Sequence, residues 1–447
     1  MIDMAVVKQF QDAITHLGEM ARPEPIADDE RVARAKAVMR RKTDRALAID
    51  LESCVNCGYC SGACHFYQGT KDPKYTPTRK LDLLRRVHSR EGAAFAPITR
   101  LFTRDISLAD LQQWQELVYD SCTGCGRCSM VCPMGINIAR GVNVMREALS
   151  EAGLAPLELM AVAQEQAGRG TVFGVGPAEL AGVVEALRGQ GIPIPLDEPH
   201  ADVMLVTTVI DVLLFQDALA ATARILNHLK VDWTLRSAGF EAANFGLLSG
   251  NETLENAASQ RIIDEALAIG AKAVILPECG HAYPALRWEG HQRDGKPLPF
   301  EVLAASEFVG REIREGRLVL APGDPSRKLT HHDACKLARH GGVIDEPRAA
   351  LQALGVDFRE TAHTAELNWC CGGGAGAFLI NRAALLRHKA WQIKRAQIKA
   401  TGTDTVVLSC ASCRLNLMAG DEVEPSGLHI ESLIELVAAQ LPQPPGP

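Results

Sequence analysis

Apolar and polar positions alternate along this chain with two periods, and the change of period divides it. Over residues 1–50, Val32, Ala35, Val38 and Met39 recur at helical spacing among charged neighbours, which predicts helix. Pro77–Arg90 and Leu108–Tyr119 repeat the amphipathic pattern, as does Ile136–Ala152, which Gly153 closes. Residues 153–200 are rich in glycine and proline, with Gly168, Gly170, Gly174, Gly176 and Ile192-Pro193-Ile194-Pro195, and read as a linker. Beyond residue 200, short apolar runs of buried-strand type alternate with helical patterns, which predicts an α/β arrangement. Residues 441–447 hold four prolines and read as a disordered tail.

The α/β portion reads as a duplication. Asp211, a helical pattern and Val231-Asp232-Trp233 are matched by Asp333, a helical pattern and Val356-Asp357-Phe358. Asn244-Phe245-Gly246 is matched by Cys370-Cys371-Gly372, and Ala273–Leu276 by Thr405–Leu408. The offsets rise in order, 122, 125, 126 and 132, as small insertions would make them. On this alignment Leu213 stands opposite Cys335 and Asn244-Phe245 opposite Cys370-Cys371. The first copy has then lost the cysteines of the second.

The 447 residues give room for two to three domains. With 47% apolar and 23% charged residues the chain is ordinary for a soluble globular protein, and 5% aromatics make its core aliphatic. A net charge of -7 argues against nucleic acid as partner. Val203–Leu226 is the most apolar stretch, but Asp211, Asp217 and Arg224 interrupt it, so no membrane span is expected. No export signal is read at the start. Fourteen cysteines then point to metal ligands or catalytic thiols rather than disulfides, and to the cytoplasm.

Cys54, Cys57, Cys60 and Cys64 form a C-x2-C-x2-C-x3-C run, and Cys122, Cys125, Cys128 and Cys132 repeat it before Pro133. Thiolate is a soft ligand suited to iron–sulfur clusters. In two-cluster ferredoxins the fourth cysteine of each run serves the other cluster. Cys54, Cys57, Cys60 and Cys132 are therefore expected to hold one [4Fe–4S] cubane, and Cys122, Cys125, Cys128 and Cys64 the second. Two structural zinc sites are the other reading, although zinc usually takes paired C-x2-C units. His65 stands where a proline usually follows the fourth cysteine.

Cys335, then Cys370-Cys371-Gly372, then Cys410-x-x-Cys413 resembles the CCG domain of heterodisulfide reductases and related iron–sulfur oxidoreductases. The resemblance implies that Cys335, Cys370, Cys371, Cys410 and Cys413 hold a noncubane [4Fe–4S] cluster that cleaves disulfides, with Cys371 in the chemistry. Adjacent cysteines suit neighbouring irons of an opened cluster. Gly372 and Gly373 let backbone N–H groups approach the sulfurs and substrate approach the iron. A zinc site, a redox-active dithiol and an ordinary cubane are the other readings. Cys279 and His281 occupy the first-copy counterpart of Cys410–Cys413. They read as a further thiol and a proton donor to a leaving thiolate, against a buried free cysteine beside a turn histidine. His331, His332 and Lys336 flank Cys335 as positive charge or as a solvated loop. Gly170–Gly176 follows no expected strand and lacks the spacing of a nucleotide loop.

The order of motifs is similar to that of the fused catalytic subunit of membrane-associated heterodisulfide reductases and its kin in sulfite-reductase-associated membrane complexes. That implies an α+β multi-domain protein. An N-terminal helical segment (1–50) precedes a helical ferredoxin-type domain with two [4Fe–4S] clusters (51–152) and the linker (153–200). A duplicated α/β CCG domain follows, its first copy degenerate (201–310) and its second (311–440) holding the noncubane cluster. The resemblance also implies an oxidoreductase of sulfur metabolism acting on a disulfide, trisulfide or persulfide, on a small thiol or a sulfur-carrier protein. Its partner would be a membrane cytochrome b or a flavin/iron–sulfur subunit at the inner face of the membrane. The same order also resembles the iron–sulfur subunit of glycolate, lactate and glycerol-3-phosphate dehydrogenases. There the chain would only relay electrons from a separate flavoprotein to quinone.

Overall fold

A computed structural model describes residues 4–22, 24–289 and 297–442, so residues 443–447 of the expected tail lie outside the described residues. Among the described residues the chain forms helices and no strand before residue 203. Asp28–Lys42 carries Asp28, Asp29 and Glu30 in its first turn and Arg40, Arg41 and Lys42 in its last, opposite in sign to the helix dipole at each end. It buries Ala35, Val38 and Met39 and packs on Ile138–Glu151. Arg45–Ser53, capped by the Asp44 carboxylate accepting from Leu47 N–H, delivers the chain to Cys54. The expected helices between the cysteine runs form as Asp82–Glu91 and Leu108–Gln115, the second running through a π-turn, Glu116–Asp120, toward Cys122.

Residues 153–200 are not a linker. Leu157–Arg169 and Pro177–Gly189 are helices that bury Leu159, Val162, Leu180 and Val184. Two of the glycines that suggested loops, Gly170 and Gly176, are helix caps, and a proline beside them opens a helix. Gly170 takes φ 81° at the end of the first helix, and Pro177 opens the second, where its missing N–H costs nothing. Leu196 pairs with Leu235 beyond them, so this segment edges the first sheet.

Two four-stranded parallel sheets follow. The first holds β1 (Val203–Leu205), β2 (Trp233–Leu235), β3 (Ala273–Leu276) and β4 (Glu301–Ala304) in the order β2-β1-β3-β4. The second holds β5 (Lys328–His332), β6 (Asp357–Phe358), β7 (Thr405–Leu408) and β8 (His429–Ser432) in the order β6-β5-β7-β8. The same order and the same parallel pairing recur, so the α/β part is a duplication. Parallel neighbours need crossovers, and helices such as Glu252–Ala268 and Ala384–Ala400 supply them.

Sheet register corrects one detail of the alignment. Met204 pairs with Val274 and Thr330 with Val406. If β3 matches β7, then Met204 matches Thr330, an offset of 126 rather than 122. Thr207 therefore stands opposite Asp333, and Val209 opposite Cys335. Asp211 and Leu213 belong to the helix that follows, Val209–Leu214.

Candidate functional site

Both cysteine runs bend the same way. Asn56 and Gly58 have φ of 53° and 76°, and Gly124 and Gly126, at the matching positions, 57° and 76°. Left-handed residues around the second cysteine curl each run so that its sulfurs converge. Burial pushes Cys60 up to about 11, and Cys132, Cys54 and Cys57 are close enough to add to that shift. Cys128 is pushed up by burial and then by Cys125, Cys122 and Cys64. The structure thus brings together the two crossed sets, each fourth cysteine lying with the other run. Cys64, Cys122, Cys125 and Cys128 line a small apolar cavity. The other set is nearer solvent, with Cys57 exposed.

Buried cations surround the second set. Lys80 is 2% exposed, and its Nζ donates to the Ser121 carbonyl and hydroxyl. Arg146 donates to the Cys122 carbonyl at 2.8 Å and to the Ala375 carbonyl at 2.7 Å. Among the described residues neither pairs with a carboxylate. A buried unpaired cation is costly, so these residues fit an anionic group held among the four sulfurs.

The third set forms at the ends of the second sheet. Cys335 and Cys370 sulfurs are 3.9 Å apart. Cys371 and Cys413 sulfurs and a His332 ring nitrogen lie within 4.8 Å of one another. Gly280 N–H donates to Cys410 Sγ at 3.5 Å, Gly372 N–H to Cys370 Sγ at 3.4 Å and Gly373 N–H to Cys371 Sγ at 3.5 Å. Gly372 has φ 99°, and a Cβ there would lie 2.5 Å from Ala390 Cβ, so only glycine fits this turn. Asn416 holds the Cys371 carbonyl at 2.8 Å. All five cysteines are buried.

Cys370 touches the second ferredoxin-type set. It donates to Thr123 Oγ1 at 3.4 Å. Contact with Cys370 holds the Cys125 thiol low, and His65 adds to this. Arg339 spans the junction by donating to the Cys125 carbonyl at 2.7 Å.

Cys279 lies beside Cys410, buried, its thiol pushed far up by that burial. His281 comes to the Cys-Cys-Gly turn, where its Nε2 accepts from Ala375 N–H at 2.8 Å. Burial lowers it to about 4, so it is neutral and can offer only an Nδ1 proton. His332, which the sequence placed only as a neighbour of Cys335, is the histidine set against Cys371 and Cys413. Strand alternation explains it: His331 and His332 face opposite sides of β5. Burial lowers His332 to about 4. Its two nitrogens, with His65 Nε2 and His340 Nε2, are buried without a partner, which also fits sulfur-rich anions in these sets. Lys394 carries no signal in the sequence. It is fully buried, donates to Asn368 Oδ1 at 2.7 Å, and is lowered by burial to about 8.

Comparison with known proteins agrees with this geometry. A model of 4Fe-4S dicluster domains matches residues 50–136, and the cysteine-rich CCG domain model matches residues 329–418. The chain is 28% identical to a subunit of the dihydromethanophenazine:CoB–CoM heterodisulfide reductase of Methanosarcina mazei, over 88% of this chain and 94% of that one. It is 28% identical to iron-sulfur subunit 2 of the Hdr-like menaquinol oxidoreductase of Archaeoglobus fulgidus, over 74% of this chain and 68% of that one. It is also 28% identical to the EtfAB:quinone oxidoreductase of Syntrophomonas wolfei, over 82% of this chain and 54% of that one. Among the described residues no helix is long and apolar enough to cross a membrane.

Proposed function

Since the chain is a CCG-domain iron–sulfur oxidoreductase of the heterodisulfide reductase kind, with [4Fe–4S] clusters, we propose that it acts on sulfur groups. Electrons would pass between two cubanes, held by Cys54, Cys57, Cys60 and Cys132 and by Cys64, Cys122, Cys125 and Cys128, and a noncubane cluster on Cys335, Cys370, Cys371, Cys410 and Cys413. There a disulfide, trisulfide or persulfide would be cleaved or formed. The observation that carries this reading is the contact of Cys370 with both Cys335 and the Cys125 set, which joins an electron path to adjacent cysteines under a glycine turn.

When bound, the clusters supply single electrons. The chain's own residues supply the rest. Gly372 and Gly373 hydrogen-bond the sulfurs and leave space beside them, and Asn416 fixes the Cys371 backbone. His332, against Cys371, and His281 Nδ1 are the groups able to donate a hydrogen bond to a released thiolate. Cys279 would be a further thiol at the edge of the site. The partner would be a membrane cytochrome b or a flavin/iron–sulfur protein at the cytoplasmic face, and the substrate a small thiol or a sulfur-carrier protein.

The test is electron paramagnetic resonance of the anaerobically purified chain, oxidised with candidate thiols, with iron counted alongside. About twelve irons are expected for three four-iron clusters, with a thiol-dependent signal. Cys371→Ala should lose that signal and keep both cubane signals. Full iron without any thiol response would sink the sulfur reading. It would favour the relay reading, in which a flavoprotein does the chemistry and this chain passes electrons to quinone. The quinone oxidoreductases among the relatives speak for that alternative.

A further inference from the structure

His65 stands where the local backbone has no use for an imidazole. It is the first residue of the helix His65–Thr70, directly after Cys64. Proline suits that position: its φ is pre-set, and the N–H it lacks has no helical partner. Histidine is a middling helix former. Yet the residue is only 3% exposed, its ring set edge-on to Phe66 with centroids 4.1 Å apart. A His65 ring nitrogen, Cys125 Sγ and Cys370 Sγ lie within 4.8 Å of one another. Nε2 is buried without a hydrogen-bond partner.

The placement is enforced from behind. Phe66 packs on Leu386 and Ala390. A Cβ on Gly69 would lie 2.7 Å from Lys389 Cβ, and a Cβ on Gly372 would lie 2.5 Å from Ala390 Cβ. The short helix is pressed against Ala384–Ala400, the same helix that backs the Cys-Cys-Gly turn. Its first side chain therefore falls between the two cysteine sets, and repacking cannot move it far.

We propose that His65 is a positioning residue for electron exchange between these sets, donating a ring N–H to Cys125 Sγ alongside Cys370 Sγ. This rests on the reading that Cys64, Cys122, Cys125 and Cys128 hold one cluster and the Cys-Cys-Gly set another. In the exchange one electron leaves the Cys125 side and one arrives at the Cys370 side. No bond breaks, and His65 keeps its proton. A donor to a ligating sulfur stabilises the more negative, reduced state and raises its potential.

The experiment compares wild type, His65→Pro and His65→Gln as full chains with clusters reconstituted, by iron count and by redox titration of the cubane signals. His65→Pro should keep its iron. One cubane should become about tenfold harder to reduce, about 59 mV for one electron, while the other stays unmoved. His65→Gln keeps an N–H donor and should recover part of the shift. Should His65→Pro lose iron, His65→Leu against His65→Gln makes the same comparison with the apolar contacts kept. Full iron with both potentials unmoved overturns this inference alone. A wild-type iron count short of two cubanes overturns the cluster reading and this inference with it.

Discussion

Replacing Gly420 by alanine would drive a methyl group into the Trp391 ring. A Cβ built at Gly420 lies 2.4 Å from Trp391 Cγ and 2.7 Å from Cδ1 and Cδ2. Carbon atoms settle at about 3.5–4 Å, so ring or helix must yield by roughly 1 Å. Trp391 is 0% exposed and has no room to yield. Two effects oppose each other. Within Ala411–Val423, alanine gains about 1 kcal/mol of helix propensity over glycine. Overpacking a filled core costs about 1–3 kcal/mol. With a full ångström to recover at a fixed ring, the cost falls at the upper end, leaving a net loss of about 1–2 kcal/mol. The displacement has a direction. Cys413, Asn416 and Gly420 share one helix face, so pushing the helix off Trp391 carries Cys413 with it and strains the bond from Asn416 to the Cys371 carbonyl. Anaerobic denaturant unfolding, with iron followed alongside, should show Gly420→Ala less stable and losing iron from the Cys-Cys-Gly set before either ferredoxin-type set. Trp391→Leu makes the room that the methyl needs. The double variant should then be at least about 1 kcal/mol more stable than the two single changes predict by addition. A Gly420→Ala chain as stable as wild type, with no such coupling, would refute the packing argument.

Two further predictions concern charge. Lys394→Met removes the fully buried cation beside the Cys-Cys-Gly set. A nearby positive charge favours the more negative, reduced state by a few kcal/mol at an effective dielectric of about 20, so the potential of that centre should fall, by on the order of 100 mV, in a redox titration; an unchanged potential counts against an anionic centre there. Glu278 is raised by burial to about 8. The native carboxyl then holds a proton between about pH 4.5 and 8 that the unfolded chain has lost, so its contribution to stability falls across that window, by at most about 4–5 kcal/mol. Glu278→Gln, neutral throughout, should flatten the fall in a pH series of unfolding curves; equal slopes would show that Glu278 is ionised in the native protein.

Cysteine spacing is legible in the chain because a turn of given shape takes a given number of residues. Asn56 and Gly58 repeat the φ values of Gly124 and Gly126, and the crossed sets follow from two such turns facing each other. The duplication is legible in order but not in register, because only strand pairing reveals that Thr207, not Asp211, faces Asp333. Glycine and proline at 153–200 mislead because the same residues punctuate loops and cap helices. The buried cations are illegible. Lys80 and Lys394 sit in helical patterns where a lysine ordinarily reaches water, and only tertiary packing puts them under a cysteine set. The exchange of emphasis between His281 and His332 has the same origin: sequence distance to a cysteine says little about which ring reaches its sulfur.

The degenerate copy turns lost cysteines into supports. With Leu276 in the place of Leu408, Glu278 stands where the second copy has Cys410, and His281 where it has Cys413. Both now bond across the duplication. The Glu278 carboxyl group accepts from Ser432 Oγ at 2.6 Å, and its backbone carbonyl accepts from Ala411 N–H at 2.5 Å. Gly280 N–H reaches Cys410 Sγ, and His281 takes Ala375 N–H. Each net hydrogen bond is worth about 1 kcal/mol, so together they supply a few kcal/mol. They fall on Cys410 itself, on Ala411 and Ala375 beside the cysteines, and on Ser432 at the end of β8. A second set of ligands in the first copy would have placed two buried anionic centres against each other, each raising the cost of the other. A carboxyl, a backbone N–H and a neutral imidazole in those places order the loops without adding a charge. Cys279, one residue past the Cys410 position, escapes this replacement because the pseudo-repeat puts no ligand there.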